Sequence, residues 1–276
     1  MARSEGFVLG SGGIRLYTAS WLPGEPREAA VLSHGLAEHS GRYQELVDWL
    51  LARAVSVYAH DHRGHGRSGG ARADIGSFDA VVDDLLSRLR HVRERHPGHR
   101  LTLIGHSFGG AVALAAALAD PPLVDRLVLS APAIGVDPDL PRPRLLLGRL
   151  LSWVAPRTGL LKLDATAVSS DPGVIDAYRR DALNYHEAIP ARTLVELIDA
   201  IRRLTARASR LTAATLVLHG TADRLVPLRF NEPLYARLGA ADLTIRRYDG
   251  FYHELLNEPG RARVFADLGD WLDARG

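Results

Sequence analysis

The 276-residue chain contains no cysteine and only one lysine, Lys162. Without thiols there is no disulfide framework, no zinc–thiolate site and no cysteine nucleophile. Positive charge is almost all arginine, and the formal net charge is only +2. No run of roughly five or six basic residues occurs, so the footprint of a nucleic-acid partner is missing. Long apolar runs are missing too: none reaches the roughly 18 residues of a spanning helix without a charge intervening. The first residues, Met1-Ala2-Arg3-Ser4-Glu5-Gly6, lack the apolar run of a signal peptide. A cytoplasmic protein is therefore expected. An apolar fraction of 46% is ample for a core, in one large domain or one domain carrying an insertion.

What is present is a repeating β-α pattern. Residues 14–21 and 29–33 read as strands, and Tyr43, Leu46, Val47, Leu50 and Leu51 follow at helical spacing. Residues 55–59 form a compact apolar strand. Phe78, Val81, Val82, Leu85, Leu86, Leu89 and Val92 then make one helical face, with Ser77 placed as N-cap. Residues 101–105 and 126–130 are further buried strands, separated by an Ala-rich helix after Phe108. Such units predict an α/β fold, a mostly parallel sheet with helices on both faces. The pattern breaks after Pro132. From 135 to 210 there is helical periodicity with prolines and no strand; residues 215–219 and 243–247 resume strands, and 261–272 reads as a terminal helix. The expected organisation is a core of residues 1–134 and 211–276 with a helical lid, 135–210, inserted between core strands. The lid's first part, 145–154, is unusually apolar. It either packs on the core or touches lipid while Arg142, Arg144 and Arg149 meet phosphate.

The sharpest chemical signal is Gly105-His106-Ser107-Phe108-Gly109, a G-x-S-x-G segment between a buried strand and a helix. A sharp turn there pushes Ser107 Oγ out above the sheet, and Gly105 and Gly109 leave room for close backbone approach. A serine hydroxyl needs a base and a third group to orient that base. In α/β-hydrolases these follow in the order Ser, acid, His. Asp223 lies just past strand 215–219, and His253 lies on the loop after strand 243–247, where sites of parallel sheets form. Ser107, Asp223 and His253 are thus the candidate nucleophile, orienting acid and general base. Asp249 competes for the acid role but sits on the same loop as His253, badly placed to reach Nδ1; Asp223 has the plainer alternatives of pairing with Arg224 or capping a helix. Two aimed N–H donors are needed for an oxyanion. The backbone of Phe108 is one candidate, and that of Leu36, in His34-Gly35-Leu36-Ala37-Glu38-His39, is the other.

At this level of detail the chain resembles the monoacylglycerol lipase family, its bacterial and mycobacterial members above all. The resemblance rests on His34-Gly35-Leu36-Ala37-Glu38-His39-Ser40-Gly41-Arg42-Tyr43, Asp61-His62-Arg63-Gly64-His65-Gly66-Arg67-Ser68, the serine segment, Leu218-His219-Gly220-Thr221-Ala222-Asp223-Arg224 and Gly250-Phe251-Tyr252-His253. It implies a lidded α/β-hydrolase that cleaves one acyl chain from glycerol without a cofactor or metal, acting on monoacylglycerol or a similar single-chain ester. On the lipid reading of residues 145–154, the lid makes transient contact with a membrane or micelle surface, and the cytoplasmic protein is then peripheral. The positions matching the family's glycerol end are Glu38, Arg42 and, in the lid, Tyr178. For Glu38 and Arg42 the plain alternative is an i,i+4 ion pair that stiffens the oxyanion loop. Phe108 replaces a methionine common in the family and is expected to alter the acyl pocket. Lysophospholipase, broad carboxylesterase and a non-catalytic ligand sensor are the competing readings.

Three other signals have structural readings. Gly64-His65-Gly66-Arg67-Ser68-Gly69 fits G-x-G-x-x-G, but the next helix opens only near Ser77, so no helix N-terminus faces a pyrophosphate. His60, His62 and His65 lack a carboxylate cluster to complete a metal site and read as a packed loop. His91, His96 and His99, near a helix end, read as solvated.

Overall fold

Strands that are apolar on both sides must be covered on both sides, and the central sheet is built that way. A computed structural model describes residues 2–275. The chain runs β1 (Ala2–Leu9), β2 (Arg15–Leu22), β3 (Glu28–Ser33), α1 (Gln44–Ala52), β4 (Val55–His60), α2 (Phe78–Arg95), β5 (Arg100–His106), α3 (Phe108–Ala119) and β6 (Arg126–Ser130). An inserted segment follows, with α4 (Arg142–Val154), β7 (Gly159–Leu161), α5 (Pro172–Arg180), β8 (Ile189–Pro190) and α6 (Ala191–Arg207). The chain then returns through β9 (Ala214–Gly220), α7 (Leu228–Tyr235), β10 (Leu243–Tyr248) and α8 (Arg261–Asp273).

The main sheet has eight strands in the order β1-β2-β4-β3-β5-β6-β9-β10. Pairing is parallel from β4 through β10, and β1 and β2 are antiparallel. Period-two alternation sorts the strand residues between two cores. Ala29, Val31, Leu103, Leu129 and Val217 face α2 and α3, whereas Ala30, Leu32, Ile104, Val128 and Leu216 face α1 and α8. Ser77 caps α2 as expected, its side chain accepting from Ala80 N.

The differences from the sequence reading have local causes. Strand β1 was not anticipated, because it is an edge strand with almost no burial pattern, and the short helix α7 was also missed. Within the inserted segment, where no strand was expected, β7 and β8 form a short antiparallel pair, too brief to show a period. His96, the C-cap of α2, is buried rather than solvated, because its ring packs edge-on against Tyr58 with Nε2 2.7 Å from the Tyr58 hydroxyl. Helix α4 does not bury its apolar face: Leu146, Leu147, Leu150, Trp153 and Val154 are all exposed, Trp153 at 83%. No helix among the described residues is long and apolar enough to cross a membrane.

Candidate active site

Strand β5 delivers the chain into a turn at Ser107, which has φ 53° and ψ −121°. A non-glycine residue there is strained, and strain of this kind persists only where neighbours over-determine it. Here Ser107 N–H donates to Ser130 O at 2.9 Å and Ser107 O accepts from Ala133 N at 2.9 Å. The glycines are sterically required. A Cβ on Gly109 would stand 2.1 Å from Ser33 O, and one on Gly105 would stand 2.5 Å from Gly109 O. Helix α3 starts at Phe108, so that residue's N–H is one of the first-turn donors that no helix carbonyl takes.

The loops after β9 and β10 meet. His253 Nδ1–H donates to Asp223 Oδ2 at 2.7 Å, both side chains buried. Asp223 Oδ1 also accepts from Leu225 N and Val226 N, at 2.9 and 2.8 Å. The competitor Asp249 is exposed and takes the Thr221 hydroxyl instead, and Arg224 reaches Thr166. Burial opposes ionisation of Asp223, but the neighbouring imidazole and these hydrogen bonds outweigh it and hold its pKa well below the usual carboxylate range. For His253, burial favours the neutral ring. The Asp223 carboxylate, with Glu254 and Glu38 behind it, prevails and lifts the pKa above that of an ordinary imidazole.

After β3 comes the loop carrying Leu36. His34 Nδ1–H donates to Gly35 O at 2.8 Å, and His34 Nε2 accepts from His62 N at 2.9 Å. His60, His62 and His65 are buried beneath this loop, burial pushing His60 down to about 3. Among the described residues, no cluster of His, Cys, Asp and Glu could hold a metal ion. In the glycine-rich loop that follows β4, Gly64 and Gly66 take positive φ, and α2 begins well beyond them.

Ser107, His253, Leu36 and Phe108 line one cavity of about 330 Å³, within the size range of small-molecule sites. Its wall is largely apolar. Leu194, Leu197, Ile198 and Ile201 of α6, spaced i, i+3, i+4, i+7, present a stripe to it. The Phe108 ring is turned away into the core, edge-on to Phe78 and His62.

A family model described as Serine aminopeptidase, S33 matches residues 24–260. The chain is 38% identical to the monoacylglycerol lipase of Mycolicibacterium smegmatis over 98% of its own length and 97% of that protein's. It is 31% identical to the monoglyceride lipase of Homo sapiens, over 97% and 90% of the two chains. The crystal structure of Paleococcus ferrophilus monoacylglycerol lipase superimposes with a TM-score of 0.85 at 30% identity, covering 95% of this chain and 99% of that one. This chain belongs to the monoacylglycerol lipase family.

Membership makes it a serine ester hydrolase of the α/β-hydrolase superfamily, and directs attention to the polar end of the cavity. Glu38, Arg42 and Tyr178, the three positions suggested by resemblance to this lipase family, are brought together there. The Arg42 guanidinium lies 4.8 Å from the Tyr178 ring centroid and 2.7 Å from Glu38 Oε2. Glu38 and Tyr178 line the cavity, while Arg42 stands behind them. Two residues at this end of the lipase fold escaped the sequence reading. Glu254 forks Arg42, and the His106 ring lies 4.7 Å from that of His253. Their positions beside His253 and Ser107 were visible, but nothing in the sequence says which way either side chain turns. The α6 stripe was legible as a period, though not its placement on the cavity wall.

Proposed function

We propose that the protein hydrolyses monoacylglycerol through an acyl-enzyme. Ser107 attacks the ester carbonyl while His253 takes its proton, and the Leu36 and Phe108 N–H groups hold the oxyanion. His253 then protonates the departing glycerol, and a water deprotonated by His253 releases the fatty acid. Asp223 stays ionised and keeps Nδ1–H turned toward itself, leaving Nε2 for the serine. The observation that carries this reading is the strained turn at Ser107, opening on the same cavity as a His253 whose Nδ1 is held by Asp223 at 2.7 Å.

The substrate class is supported by the relatives' names and by the cavity itself. An apolar wall suits one acyl chain. At the polar end, two carboxylates, Glu38 and Glu254, face one guanidinium, Arg42. That excess of negative charge repels a phosphate, which favours monoacylglycerol over a lysophospholipid. In the same reading, residues 135–210 are a lid on a core of 1–134 and 211–276. The exposed leucines and Trp153 of α4 enter a lipid surface, with Arg142, Arg144 and Arg149 at headgroup level. The protein is then peripheral at membranes.

The test is fatty-acid release from monoacylglycerol, diacylglycerol, triacylglycerol and lysophosphatidylcholine side by side, with Ser107→Ala as blank. Monoacylglycerol is expected to be preferred, and Ser107→Ala to lose at least about 10³-fold in kcat while keeping its fold. Equal or better turnover of the lysophospholipid overturns the substrate, substantial activity in Ser107→Ala overturns the site, and a single slow turnover with retained product points to a ligand sensor.

A further inference from the structure

Glu254 follows His253 directly, yet its carboxylate turns away from solvent. Arg42 donates to it twice, Nη1 to Oε1 at 2.5 Å and Nη2 to Oε2 at 2.8 Å. The same Nη1 donates to Glu38 Oε2 at 2.7 Å. Glu38 Oε1 in turn accepts from Gly35 N at 2.5 Å and from the Tyr43 hydroxyl at 2.6 Å. The side chains are sequestered: 10% exposed for Arg42 and 6% for each carboxylate. A Cβ on Gly35, at the end of this chain of contacts, would lie 2.7 Å from Glu38 Oε1, so a side chain there would push that carboxylate off the Gly35 N–H.

The peptides on either side of Gly35 are therefore both held. Glu38 fixes the N–H of Gly35, and His34 Nδ1–H draws the Gly35 carbonyl toward itself. In a trans peptide the N–H points opposite to the C=O. Holding the Gly35 carbonyl aims the Leu36 N–H the other way. We infer that Glu254 is a positioning residue: through Arg42 and Glu38 it locks the loop that carries the Leu36 N–H to the loop that carries His253. Oxyanion donor and base are then set relative to each other by one buried charge cluster, although they come from opposite ends of the chain. The inference rests on the roles proposed above for Ser107, His253 and Leu36.

The variant Glu254→Gln removes the fork but leaves the Arg42–Glu38 pair, so the fold is expected to survive. With p-nitrophenyl butyrate as a soluble probe, kcat is expected to fall about 10- to 100-fold with KM within threefold, a fraction of what losing an oxyanion donor costs. The groups facing His253 are Asp223, Glu254, Glu38 and His106. Since the base works neutral and nearby carboxylates raise its pKa, losing one negative charge moves the acid limb of kcat/KM to lower pH. Glu254→Asp keeps the charge without the reach, so it restores the acid limb but not kcat. In a relay, the double variant Glu254→Gln/Glu38→Gln loses no more than the worse single variant.

A folded Glu254→Gln with wild-type kcat, a loss confined to KM, or losses that multiply in the double variant overturn the inference. Should Glu254→Gln fail to fold, wild-type kcat in Glu254→Asp overturns it equally. Ser107→Ala, run alongside, separates the two levels. An active Ser107→Ala sinks the underlying site; an inactive one with undiminished Glu254→Gln sinks only the relay.

Discussion

The two halves of the inserted segment are attached to the molecule in opposite ways. Residues 178–186 are pinned to the loop that carries Leu36. Tyr185 N–H donates to Ala37 O at 2.9 Å and His39 Nε2–H donates to Asp181 Oδ2 at 2.8 Å, while Arg72, on the loop after β4, adds a bond from Nη2 to Leu183 O at 2.6 Å. Helix α4 has no such anchorage to that loop. It rests on α6 around the buried Gly148, with the exposed ion pair of Arg149 and Asp199 at one side, and its leucines and Trp153 look outward. Polar bonds with directional geometry fix one half against the site, where misplacement would disturb chemistry. Apolar surface without a partner is left on the other half, where the proposed occupant is a lipid surface rather than protein.

The contrast is breakable by mutation, starting with the exposed half. Replacing Leu146, Leu150 and Trp153 together by serine is expected to weaken binding to phosphatidylcholine vesicles about 100-fold, at about 1 kcal/mol for each partly inserted side chain. Turnover of p-nitrophenyl butyrate should stay unchanged. Undiminished vesicle binding in a sedimentation assay would remove α4 from the lipid surface. On the pinned half, Asp181→Ala is expected to lower kcat about tenfold on both soluble and lipid substrates, because His39 loses a charge-assisted bond. A defect seen only with vesicles would show that both halves serve the interface and erase the distinction. The smallest effect belongs to Arg149→Ala. Its ion pair is about half exposed, so unfolding free energy from urea titration should change by no more than about 0.5 kcal/mol.

The site was legible from sequence to the extent that its chemistry is local. The turn at Ser107 follows from a strand meeting a helix across glycines that admit no Cβ. The loops of Asp223 and His253 follow from where strands of a parallel sheet must end. Edge strand β1 and the β7–β8 pair were not legible, because neither buries an alternating face long enough to leave a period. Helix α4 shows the opposite limit: its apolar residues were plain, but their environment was not. Glu38 and Arg42 are readable as an i,i+4 pair; that the same guanidinium also grips Glu254, 212 residues away, is not.

From the sequence alone came the α/β framework, the resemblance to a family of serine hydrolases, and the identity and order of the residues proposed for chemistry. These rest on periodicity, turn sterics and motif spacing, which are properties of neighbouring residues. Tertiary structure alone decided which carboxylate reaches His253, that Glu254 turns inward to Arg42, and which half of the inserted segment is held and which left bare. Those outcomes depend on contacts between distant segments and on the desolvation each contact brings. Neither quantity is defined until the chain has folded.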